Sequence, residues 1–370
     1  MKVLKLPFIA NLAMALVSLI AVGYLLWLGQ SIMAPFFLAF LLAMLFVPFA
    51  DFLERQCRFP RSVSSLGSLL VMIVLLGGLG YFFGTQLSDF SKDIPQLQNQ
   101  FNTVFHQLQD WISYTFHVNA EKQFDYLNQV MDKLLSSSGL ILGVTLGIFS
   151  TGIGFFFFAL LFFIFILNYR KVLNNFIVNV FADKHRTQVQ EAISEIQAMT
   201  RSYITGVCIQ ICLVSILTSV ILSLLGVEYA LLLGLLTGLL NVIPYIGIII
   251  SLIISCLIAF ATATPVTCLY VIFGYIGVHA IDGNIIMPFV VGSKVKINAL
   301  FSFIGIIVGE QLWGISGMFL CIPALAIIKI IFERVDGIRP WALLLGEGDK
   351  EHKKKRRVKI SKKITLEEKE

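Results

Sequence analysis

Charge is scarce in this sequence. Of 370 residues, 14% are Asp, Glu, Lys or Arg, 57% are hydrophobic, and the mean hydropathy is +0.86. A soluble globular chain carries about 25% charged residues. The composition therefore excludes a water-soluble globular class and predicts an all-α integral membrane protein. Cysteine is sparse as well. Of Cys57, Cys208, Cys212, Cys256, Cys268 and Cys321, all but the first fall in apolar stretches. Cys208 and Cys212 stand at i, i+4, but no His or carboxylate accompanies them, so neither a disulfide nor a metal site is expected. There is no glycine-rich phosphate loop and no nucleophile–base–orienter set. An enzyme is not expected, nor a catalytic residue, nor a cofactor.

The charge that is present is unevenly placed. From Glu351 to the end there are nine Lys/Arg and four acids, leaving 19 basic and 18 acidic residues elsewhere. The run Lys353–Arg357 reads as part of a basic cytoplasmic tail, residues 335–370, lying beside anionic membrane lipid. No aromatic or folded context accompanies it, so nucleic acid is not an expected partner.

Apolar runs long enough for full spans, about 20 residues, occur at 8–28, 32–50, 65–84, 140–167 and 203–225. Residues 1–87 are expected to hold transmembrane helices 1–3, and 140–167 helix 4. Arg55, Arg58 and Arg61 make the loop between the second and third spans basic, which places it inside. Lys2 and Lys5 then put the N-terminus inside as well. The polar region 88–139 is expected outside the cytoplasm. Its apolar residues Ile94, Leu97, Phe101, Val104, Phe105, Leu108, Trp111 and Ile112 recur at helical spacing, which predicts two or three amphipathic helices. Residues 168–202 predict a cytoplasmic amphipathic helix leading into the fifth span.

The region 203–334 reads as the transport core, because two of its apolar stretches are broken. One break is Leu239–Gly247, containing Asn241, Pro244 and Gly247. The other is Gly309–Gly317, containing Glu310, Gln311 and Gly314. Freed backbone polar groups survive at membrane depth only inside protein or along a wet cavity, and paired broken helices point to a transporter's binding site. Two re-entrant helical hairpins added to about six full transmembrane helices keep Lys294 and Lys296 cytoplasmic. The alternative is eight transmembrane helices, which would place that basic loop outside.

Several of these residues carry a family likeness. Tyr203-Ile-Thr-Gly206, Asn241-x-Ile-Pro-Tyr-Ile-Gly247, Asp282-Gly-Asn-Ile-Ile-Met-Pro288 with Gly292, and Gly309-x-x-x-x-Gly314-x-x-Gly317 closing on Pro323 together resemble the autoinducer-2 exporter family of permease-like membrane proteins. The resemblance implies a bacterial inner-membrane, multi-pass homo-oligomer; the basic loops and tail are what place both termini in the cytoplasm. It also implies export of small signalling molecules such as autoinducer-2, or, in some members, sodium–proton exchange. Glu310 and Ile248 depart from the residues that family often has there.

Candidate functional residues follow from their depth. Asp282 and His279 lie three apart on one apolar helix, where an ionisable group is a functional hypothesis by default. They could relay a proton or hold a cation. Glu310 and Gln311 at the second tip could face Asn241 and Asn284 and bind a small polar solute. The bland reading keeps Pro244, Gly247 and Gly314 as turn formers, and Asp282 as an orienting group. The expected activity is secondary transport exporting a small polar solute, with sodium or a proton as the coupling ion. The alternatives are a sodium–proton antiporter using Asp282 and Glu310, and a membrane scaffold with no flux.

Overall fold

The computed structural model describes residues 7–116, 138–243, 246–290, 297–335 and 337–346. Among the described residues every regular element is a helix. Among the described residues, six helical segments have the length and composition to cross a membrane: Gln30–Arg55, Arg61–Phe90, Gly152–Val180, Asp183–Leu224, Val266–Phe289 and Ala299–Arg334, the last of which is broken at Trp313 and Gly314. Pro244, the basic loop around Lys294 and the tail from 347 onward lie outside the described residues. The chain divides into two compact units.

The first unit comprises Met1–Leu45, Phe165–Tyr203 and Ser293–Glu370. Its opening helix, α1 (Phe8–Leu28), has 21 residues, about 31 Å at helical rise. Sequence spacing treats 8–28 and 32–50 as separate spans. The backbone instead bends from α1 into α2 (Gln30–Arg55) at Gly29, whose φ −85° and ψ 12° lie in the bridge region beside the helical one. Gly29 N–H still reaches the Leu25 carbonyl and Met33 N–H the Gly29 carbonyl. With both of these bonds kept, the single non-helical residue bends the helix and does not reverse it.

The second broken stretch also lies in this unit. α9 (Ala299–Arg334) is interrupted at Trp313 (φ −138°, ψ 18°) and Gly314 (φ 59°, ψ −140°). A side chain at Gly314 would be strained in that left-handed region. The two arms then fold against each other. A Cβ on Gly309 would lie 2.4 Å from the Gly317 carbonyl oxygen, and one on Gly305 2.6 Å from Leu325 Cδ1. In a straight helix residues eight apart are separated by about 12 Å, so the segment is a helical hairpin with arms in backbone contact. Its base is tied twice. Asn298 N–H bonds the Leu345 carbonyl of α10 (Arg339–Leu345) at 2.8 Å, and Arg334 pairs with Glu195.

The second unit comprises Phe46–Ile164 and Ile204–Gly292. Here α3 (Arg61–Phe116) is one helix of 56 residues, about 84 Å at helical rise. The hydrocarbon core is about 30 Å thick. The amphipathic stretch from residue 88 to Phe116 is thus the continuation of the third span, and residues 117–137, the rest of the region expected to hold two or three helices, lie outside the described ones. The helical pattern over 186–200 is likewise continuous with the fifth span, in α5 (Arg186–Leu224), which follows α4 (Ser138–Val180).

The first broken stretch forms a second helical hairpin, α6 (Ala230–Leu240) and α7 (Ile246–Thr262). With 11 residues, about 17 Å, α6 cannot cross a bilayer. Gly247 opens α7 where a Cβ would fall 1.8 Å from the Leu240 carbonyl oxygen, so only glycine fits the turn. Ala230, Leu233, Ile258 and Ala259 share one buried cluster with Val271 and Tyr275. The start of α6 therefore lies beside the end of α7, as antiparallel arms require. At the hairpin mouth Tyr229 donates its hydroxyl to Asp93 Oδ2 on α3 at 2.6 Å.

Candidate functional site

The buried carboxylate of the second unit lies on α8 (Pro265–Ile281), which continues through a π turn at Asp282–Ile286 into Met287–Val290. Pro288 causes the widening. It has no N–H for the Asn284 carbonyl, and its ring would collide with that group in a regular helix. Met287 N–H instead reaches back to the Asp282 carbonyl. Such single π turns recur at functional sites.

Asp282 opens the π turn and is 5% exposed. Gln210 Nε2 on α5 donates to Oδ1 at 2.9 Å and to Oδ2 at 3.1 Å. Asn241 Nδ2, at the C-terminus of α6, donates to Oδ2 at 3.0 Å. Among the described residues Asp282 has no ion-pair partner. A charge this deep costs several kcal/mol unless a counter-charge or a proton accompanies it. Neutral amide donors offset only part of that cost.

Small residues set the positions of the two amides. A Cβ on Gly234 would lie 2.0 Å from Ser219 Oγ and 2.6 Å from the Ser215 carbonyl oxygen. One on Gly238 would lie 2.1 Å from Ser215 Oγ and 2.6 Å from the Ile211 carbonyl oxygen. The backbones of α5 and α6 thus meet closely along this seam, as small residues allow in membranes, and Gln210 and Asn241 emerge at its end. On the α8 side, Val278 and Ile286 pack on Val214, Leu217 and Ile221 of α5.

A second buried polar group fastens the hairpin to α8. The Tyr275 hydroxyl lies 2.8 Å from Thr237 Oγ1 on α6 and 2.6 Å from Ser255 Oγ on α7. Thr237 already donates to the Leu233 carbonyl at 2.7 Å. Counting one proton per hydroxyl, Ser255 donates to Tyr275, whose own proton faces two acceptors, Thr237 Oγ1 and the Ser251 carbonyl at 3.4 Å. These bonds hold both arms of the hairpin to one side chain.

The expected site residues divide. Asn241 and Asp282 are in contact. Gly247 forms the turn beside them. His279 is exposed, and so is Asn284, whose amide donates to the Ala280 carbonyl at 2.8 Å. Glu310 and Gln311 belong to the other unit, at the tip of α9, where Gln311 Nε2 donates to Glu310 Oε2 at 2.8 Å. Gly314 makes that tip's turn. Gln210 was not anticipated; its signal is a lone carboxamide in an apolar span. Among the described residues no cluster of His, Cys, Asp and Glu is suited to a metal ion.

The chain is 34% identical over 83 residues to the AI-2 transport protein TqsA of Escherichia coli, covering 22% of this chain and 24% of that protein. It is 38% identical over 50 residues to YrrI of Bacillus subtilis, 14% of each chain. It is 31% identical over 81 residues to YhhT of Escherichia coli, 22% of this chain and 23% of that one. The matched parts thus span a quarter or less of these relatives' lengths. The match to a family is far longer, running from residue 16 to 337. A multi-pass helical membrane protein with two hairpins and a buried carboxylate, matched over that length, belongs to the AI-2E family of transporters.

Proposed function

We propose that this protein is a secondary transporter that moves a small polar solute outward across a bacterial inner membrane, with Asp282 as the group that couples transport to a proton or sodium ion. The observation that carries this reading is the 5% exposed carboxylate supported only by the Gln210 and Asn241 amides among the described residues. The name of TqsA, an AI-2 transport protein, favours a small signalling solute as cargo. Cytoplasmic termini, a cytoplasmic Lys294–Lys296 loop and a homo-oligomer belong to the same reading.

One observation also favours sodium–proton exchange as the activity itself. Each carboxamide carries an oxygen beside its nitrogen. Rotating Gln210 and Asn241 would replace donors with oxygen ligands around Asp282, the ligand type hard cations take. Asp282→Asn keeps the shape and removes the charge. The variant is expected to insert normally and to lose most proton- or sodium-coupled flux in proteoliposomes, whereas Glu310→Gln is expected to act more mildly. Wild-type flux in Asp282→Asn at every pH would make the carboxylate structural. Absence of any flux in the wild-type protein would favour a scaffold.

A further inference from the structure

The bend between α1 and α2 and the tip of the α9 hairpin meet at one carbonyl group. Gly29 stands outside both helices although its N–H still reaches Leu25. The helical ladder therefore fails at the next rung, where Gln30 N–H would return to the Leu26 carbonyl. That carbonyl is not left bare. Trp313 Nε1, in the turn of the hairpin, donates to it at 2.9 Å, and the Trp313 ring lies 6.3 Å from that of Phe37 on α2. An unpaired carbonyl at membrane depth is costly, so this group needs one of two donors. It can take Gln30 N–H in a straight helix or Trp313 Nε1–H in a bent one.

We propose that the Gly29 bend and the hairpin tip form one two-state element. Seating of Trp313 frees the Leu26 carbonyl from Gln30 and holds α1–α2 bent. Withdrawal of Trp313 returns the carbonyl to Gln30 and straightens the pair. Gly29 makes both states accessible, since glycine weakens the helical ladder at that point. The hairpin can withdraw as a unit because its arms touch backbone to backbone at Gly309 and Gly317. The position of the tip is thereby transmitted to α1 through a single exchangeable hydrogen bond.

The test measures the bend directly in the full-length protein in lipid nanodiscs, with spin labels at Val17 and Leu42 in a background lacking the native cysteines. A straight helix separates these positions by about 38 Å, and the bent form brings them closer. Trp313→Phe retains an aromatic ring but no donor, and should shift the distance distribution toward the straight value. Gly29→Ala favours the unbroken ladder and should shift it in the same direction with Trp313 in place. The two changes act on the same carbonyl, so the double variant should move no further than the larger single shift. An unchanged distribution in Trp313→Phe, or two shifts that simply add, would overturn the proposal.

Discussion

Gly238→Ala tests whether the close seam between α5 and α6 positions the site. The added methyl would lie 2.1 Å from Ser215 Oγ and 2.6 Å from the Ile211 carbonyl oxygen. The serine hydroxyl can rotate away, but the carbonyl belongs to the backbone of α5. Ordinary contact near 3.4 Å then requires α6 to withdraw by about 0.8 Å, an overpacking strain of roughly 1–3 kcal/mol. Asn241 lies one turn further along the same helix. Its bond to Asp282 is 3.0 Å and would open to about 3.8 Å under the full displacement, beyond hydrogen-bonding range. Losing one bond to a charged group costs about 1.5–3 kcal/mol, equivalent to roughly ten- to a hundred-fold in rate. Coupled flux in proteoliposomes, normalised to inserted protein, should fall by at least about ten-fold. Thermal unfolding in detergent would show whether the protein remains folded. Wild-type flux in a folded Gly238→Ala protein would refute the view that the glycine seam sets the Asn241–Asp282 geometry.

Two further predictions follow from other features. Tyr275→Phe removes the hydroxyl shared by Thr237 and Ser255. It should lower stability by about 0.6–2 kcal/mol, the range for buried hydrogen bonds between membrane helices, read as a reduced Tm; an unchanged Tm would mean that the hydroxyl contributes nothing net. Ser293→Cys, in a background lacking native cysteines, should resist an impermeant thiol reagent in intact cells and label after lysis. Ready labelling from outside would contradict a cytoplasmic Lys294–Lys296 loop.

The helical class and the two interruptions were legible because they depend on composition and on glycine, proline and polar residues at unusual depth. The α9 turn needs Gly314 at φ 59°, a requirement that leaves a glycine in the sequence. Continuity left no such mark. A composition change near residue 88 suggests a boundary, yet α3 runs through it to Phe116, since the backbone ladder of a helix does not depend on whether its side chains are apolar or polar. Gly29 lies in a short interval that reads as a loop, whereas its backbone only bends. At the site, spacing placed His279 and Asp282 on one face. Three residues still leave an offset of about 60° around a helix, enough for one to be buried and the other exposed. The π turn then changes the register beyond Asp282, and Asn284 bonds back to Ala280. Gln210 escaped notice because it is contributed by a helix far away in sequence, and no local pattern relates it to Asp282.

The backbone contact between Gly309 and Gly317 also has a mechanical consequence. A hairpin whose arms touch without side chains between them has no soft layer near its end, so a force applied at the tip is carried along its length without spreading the arms. Compliance is left to the other end, where Asn298 is held by the Leu345 carbonyl and Arg334 by Glu195. The α9 hairpin is therefore built like a stiff lever, with its fulcrum at the base and its working point at the tip.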